Sequence, residues 1–137
     1  MDAASALELL TEISSQIRAA VLYGDDGTVI ASTLGDAGGA NRVAAAAAEL
    51  LPAAREVAPG TGSLTQLEAA TDDGSVFLVG DGSRHVVAVT GPNPTVGLVF
   101  YDLKTCLRDA AAEEAKPRRT RRTRPKAAGA GEDADVS

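Results

Sequence analysis

The 137-residue chain has one cysteine, one histidine, no tryptophan and only four aromatics of other kinds, Tyr23, Phe77, Phe100 and Tyr101. A single cysteine, Cys106, excludes an intrachain disulfide framework and suits a reducing, cytoplasmic compartment. So few aromatics require an aliphatic core and argue against base stacking as the main activity. No apolar run approaches the roughly 20 residues of a membrane span. The N-terminal stretch MDAASALELLTE carries acids in place of a basic region, so no signal peptide is expected.

The usual chemical motifs are missing as well. There is no GxxxxGK[ST]; GTGS at 60–63 and GAG at 129–131 lack the lysine and the strand–helix setting of a phosphate loop. No HExxH or CxxC occurs. The pairs Asp25/Asp26 and Asp72/Asp73 lie in tight-turn sequences and lack the alternating ligands of a calcium loop. His85 and Cys106 have no partners at suggestive spacing, so structural roles are expected for both. The sequence gives no support for an enzyme, a cofactor or a metal.

Charge is present and uneven. Residues 1–115 hold 16 acids and 6 bases, a balance of −10, and residues 116–137 hold 7 bases and 3 acids, a balance of +4; together they give the net −6. The bases of the second part are Lys116, Arg118, Arg119, Arg121, Arg122, Arg124 and Lys126. All seven fall in Lys116–Lys126, which has no acid and no large apolar residue; such a segment cannot offset its ordering entropy, so 1–115 is expected to be one domain and 116–137 a disordered tail.

Periodicity divides the domain. Ala6, Leu9, Leu10, Ile13 and Ile17 predict a helix over about 4–17, with Ser5 and Glu8 at capping-box spacing. Two apolar runs around Gly24-Asp25-Asp26-Gly27 predict a hairpin at about 18–23 and 28–34. A second helix follows at about 40–57, with Val43, Ala47, Leu50, Leu51, Ala54 and Val57 as its stripe; Pro52 is expected to kink or divide it. Strands are expected at 64–70, 75–80 and 84–90, joined by short turns that force antiparallel neighbours. A last helix is expected from near Asn93-Pro94 to about Ala115. The runs AAVLY, VFLV and VVAV are apolar on both sides and read as central strands, whereas TVIASTL and LTQLEAA read as edges. The expected architecture is a three-layer α/β/α domain, α-β-β-α-β-β-β-α, around a five-stranded antiparallel sheet.

RAAVLYGDDGTVIAST, SLTQLEAATDDGSVFLVGDGSRHVVAVTG and PTVGLVFYDLKTCL, in that order, resemble the first hairpin, the three-strand meander and the closing helix of the Roadblock (dynein light chain) family, over roughly residues 4–113. The resemblance implies a sheet order 2-1-5-4-3. It implies a homodimer, or a heterodimer with a related chain, joined through the third strand and the second helix. It also implies a non-enzymatic regulator that binds a small Ras-like GTPase and in some members stimulates GTP hydrolysis. On that basis the interface falls on Ala44, Ala47, Ala48 and Leu51, whose small side chains suit a close helix–helix seam, and on Leu64, Thr65, Gln66, Leu67 and Glu68 of the edge strand. Arg42, Glu49 and Arg55 are candidate partner-surface positions. Two alternatives use the same residues differently: a dimeric signalling or cytoskeletal scaffold without a GTPase, and a nucleic-acid or anionic-surface binder driven by the basic tail.

Overall fold

The computed structural model describes residues 1–58, 60 and 65–121, and of 112–121 the backbone. Eight elements follow the chain: α1 (Ala3–Ile13), β1 (Ile17–Gly24), β2 (Val29–Ser32), α2 (Ala37–Val57), β3 (Gln66–Ala70), β4 (Ser75–Gly80), β5 (Arg84–Thr90) and α3 (Val96–Arg121). The strands form one sheet in the order β2-β1-β5-β4-β3, with every neighbouring pair antiparallel. The element order, the sheet order and the two edges match the expectation from sequence.

Alternation along the central strands creates two cores. Ala20, Leu22, Phe77, Val79, Val86 and Ala88 point to the face covered by α1 and α3. Val21, Tyr23, Leu78 and Val87 point to the face covered by α2. This is why the central strands read as unbroken apolar runs: a helix waits on either side of them. The two layers differ in bulk. α1 and α3 contribute Leu7, Leu10, Val99, Phe100, Leu103 and Leu107. The buried side chains of α2 are Ala40, Ala44, Ala47 and Leu51, so this helix lies close on the sheet.

The ends of the elements depart from sequence expectation for local reasons. Asp2, not Ser5, caps α1, accepting from the Ser5 amide at 2.8 Å; that hydrogen bond holds the Asp2 carboxyl below the usual carboxylate range. Ile17 leaves the helix and opens β1, where it is needed opposite Thr90. Asp36 caps α2 by accepting from Gly38 and Gly39, both at 3.1 Å, and so starts the helix at Ala37. Pro52 does not divide α2, which remains one helix to Val57. Asn93 sits in the left-handed region at φ 58° and makes a turn instead of a cap. α3 therefore begins at Val96, with the preceding Thr95 amide donating to Gln16 Oε1 at 2.6 Å. At its far end α3 runs through Pro117 to Arg121 in place of stopping near Ala115. The stretch before Pro117 is rich in Ala, Glu and Lys, strong helix formers that offset the hydrogen bond and the close contact an interior proline costs. Lys116, Arg118, Arg119 and Arg121 thus lie on helical backbone, while Arg122, Arg124 and Lys126 lie outside the described residues.

Two titratable groups are locked in these cores. Burial pushes the Tyr23 hydroxyl up to about 12, and burial with the Asp109 carboxylate pushes the Cys106 thiol up to about 11. Both pKa values are raised in the folded chain, so their stabilising contribution is present below the unfolded values and is lost as pH rises through the folded ones. Thermal stability is expected to fall progressively above about pH 9, first through the thiol and then through the phenol, as read by circular dichroism melts across pH 7–11. Below that window Cys106 should resist thiol reagents in the native state and react at once in denaturant.

Candidate interaction surface

β3 is the exposed edge of the sheet. Gln66, Glu68, Ala69 and Ala70 are exposed and Leu67 is half-buried. It pairs with β4 along one side, Gln66 opposite Val79 through to Ala70 opposite Ser75, and its other side has no strand among the described residues. Thr65, just before it, offers its carbonyl to the Gly80 amide at 3.0 Å. An edge with no proline and one acid is open to a further strand. Leu64 lies outside the described residues.

α2 presents three different faces. Its core face is Ala40, Ala44, Ala47 and Leu51. One flank carries Ala48, Pro52 and Arg55 toward the β1–β2 turn, where a β-carbon on Gly27 would touch Ala48. The opposite flank, at helical spacing, is Val43, Ala46, Leu50, Ala53, Ala54 and Val57. On that flank Val43 and Ala54 are half-buried, Ala46 and Ala53 are exposed, and Leu50 and Val57 are 37% and 84% exposed. It is an apolar ridge with water on it.

The structure places the helix half of the sequence-derived interface mostly on the sheet-facing side of α2. Ala44 is 0% exposed, and Ala47 and Leu51 are likewise buried against Val21, Tyr23 and Val87 of the same chain. Ala48 faces the β1–β2 turn. Ala44, Ala47 and Leu51 are thus taken up within the single chain, and Ala48 is half-buried. The alanine run allows close approach as argued, but the element approached is the chain's own sheet. Ala44→Leu is accordingly expected to cost about 1–3 kcal/mol through overpacking, against a few tenths for Ala45→Leu on the exposed side, measured by urea denaturation.

The three partner-surface candidates are exposed but do not converge. Arg42 lies 3.8 Å from Asp36 at the start of α2, an ion pair in full solvent that is worth little. Glu49 is on the outermost line of the helix, and Arg55 is on the flank toward the β1–β2 turn. The ridge residues Leu50 and Val57 belong to the apolar stripe that the sequence predicts for this helix, and Ala53 lies outside it. The signal was present in the sequence as a stripe too wide for one contact.

On the other face, an apolar groove of about 350 Å³ opens between α3 and the β3–β4 end of the sheet, with Val79, Leu107 and Ala111 as walls and Lys104 and Arg108 beside them. Among the described residues no three His, Cys, Asp or Glu side chains group together as metal ligands. No helix among them is long and apolar enough to cross a membrane.

Residues 5–90 match the sequence profile of the Roadblock/LC7 domain. Among solved structures, the chain is similar to a Roadblock/LC7 domain from Streptomyces avermitilis, at 18% identity and TM-score 0.74, covering 82% of this chain and 98% of that one. It is also similar to MglB of Myxococcus xanthus, at 15% identity and TM-score 0.69, covering 82% and 95%. The gliding protein MglB of Thermus thermophilus matches at 20% identity and TM-score 0.68, covering 82% and 90%. At these identities the likeness is one of fold. No functionally curated protein matches the chain.

Proposed function

Because the chain belongs to the Roadblock/LC7 domain family, we propose that it is a dimeric, non-catalytic regulator or scaffold for a small Ras-like GTPase. The observation that carries this reading is the pairing of an unblocked β3 edge with an apolar flank of α2 left in water. A second copy across a two-fold axis covers both at once: β3 extends the sheet, and the Val43–Ala46–Leu50–Ala53–Val57 ridge packs on its symmetry mate. The joined surface is one that neither copy has alone. A related chain in place of the second copy would serve the same geometry. A structure described as MglB with a tetrameric arrangement, 19% identical at TM-score 0.65, supports assembly as a habit of the fold. The GTPase rests on the family resemblance, whose bacterial members bind Ras-like GTPases in the cytoplasm. The basic segment from Lys116 to Lys126 then acts as a salt-sensitive steering element for an acidic partner surface.

The test is capture by the immobilised full chain from its own cell lysate, supplemented with GDP or with a non-hydrolysable GTP analogue. A small GTPase retained in one nucleotide state is the expected result. Partners held equally in both states would point to the scaffold without GTPase linkage. Retention of nucleic acid that vanishes at raised salt, with no protein, would overturn the reading.

A further inference from the structure

Tyr23 on β1 and His85 on β5 are direct cross-strand partners. Their rings stack at 5.2 Å with 26° between planes, and both are buried, at 1% and 5% exposure. His85 Nε2 lies 3.2 Å from Asp25 Oδ1 in the β1–β2 turn. With Nε2–H donating to that carboxylate, Nδ1 is left as a bare acceptor. Nδ1 lies over Gly80, the cross-strand neighbour on β4, where a β-carbon would collide with it, so glycine is what leaves room for the ring.

The cluster is incompletely satisfied. Tyr23 Oη and His85 Nδ1 are both buried without a hydrogen-bond partner among the described residues. Native structures rarely leave such groups idle without a functional reason or a bound molecule. Beside them opens a cavity of about 100 Å³ walled by Tyr23, Asp25, Ala48, Pro52, Arg55 and His85. Ala48 and Pro52 of α2 close the cavity on its helix side.

We propose that this cavity is a recognition pocket for a guanidinium group, the head of an arginine side chain. Two of its walls offer oxygen acceptors, the Asp25 carboxylate and the Tyr23 hydroxyl oxygen. A planar group with five donors answers them, whereas a carboxylate or phosphate would meet Asp25. The volume is that of roughly three water molecules, enough for a four-atom head. The domain's balance of −10 draws cations toward it. Arg55 is exposed at the rim and keeps its own charge in water. The arginine comes either from another protein or from the chain's own basic segment, and the pocket requires no assumption about a GTPase.

His85 is the sole histidine, so its imidazole signals report the pocket directly by NMR on the labelled full chain. Titration with acetyl-arginine methylamide should give a saturable His85 shift. The citrulline counterpart, equal in shape but neutral, should bind at least about 10-fold more weakly. Asp25→Asn, in an exposed turn, provides an independent variant with the same expected direction. Repeating the titration with Arg118, Arg119, Arg121, Arg122 and Arg124 all changed to Gln separates the sources. Tighter binding then identifies the chain's own segment as the competing occupant, and unchanged binding excludes that segment as the source. No saturable His85 shift at tens of millimolar in either chain, or equal shifts from the arginine and citrulline probes, overturns the proposal.

Discussion

Changing Leu50 and Ala53 together to glutamate is expected to weaken self-association at least about 100-fold and to leave the fold intact. Both side chains stand on the exposed flank of α2, not on its sheet-facing side. In the separate chain the new carboxylates remain in water, and glutamate is a good helix former, so little stability is lost. In a two-fold seam each residue meets the other copy. Four like charges are then brought together and stripped of water, and each factor of 10 in affinity needs only about 1.4 kcal/mol. Sedimentation at micromolar concentration reads the shift from dimer to monomer, and circular dichroism reads the fold. Asn41→Glu with Ala45→Glu adds the same charge away from the ridge and should leave association unchanged. A double variant that stays dimeric removes α2 from the interface and leaves β3 to account for it alone.

Phe77→Ala is expected to cost about 3–5 kcal/mol, a large share of the 5–15 kcal/mol typical of a domain. Phe77 is fully buried at the centre of β4 and meets Phe100 of α3 edge-on, with ring centroids 5.0 Å apart. Its neighbours in this core are held in place by α1 and α3 packed on the same sheet face. The lost burial, the cavity and the aromatic contact therefore add. Urea denaturation should show a lower midpoint with an unchanged slope, and Phe77→Leu should recover more than half of the loss. A cost below about 1.5 kcal/mol would mean that α3 collapses onto β4 and is not held by the rest of the α1–α3 layer.

The legible and illegible parts of this fold differ in the range of the interactions that decide them. GDDG, DDG and DGS mark turns because aspartate and glycine bring their own local hydrogen bonds and φ values. In the structure Asp26 accepts from the Thr28 amide at 3.0 Å, and Gly27 adopts φ 85°. β4 and β5 could be bounded to the residue for that reason. Helix ends were less well placed, because several residues compete for each cap. Asp2 and Asp36 are nearer the chain's actual entry into helix than the Ser5 capping-box reading or a start near Ala40 implied.

Sequence alone determined which segments are strands and helices, their order, and which strands are edges, since periodicity and turn chemistry are properties of a few adjacent residues. It also predicted an edge at β3, because its polar and small residues cannot lie between two helical layers. Only the tertiary structure decided the rotation of α2. Alanine on every side gives the helix no dominant face, so packing on Val21, Tyr23 and Val87 selected Ala44 and Ala47 for the core and turned Leu50 outward. It likewise decided that Tyr23, His85 and the distant Asp25 meet, 60 residues separating the histidine from the aspartate. Strand register makes such a meeting, and register depends on the whole sheet closing at once.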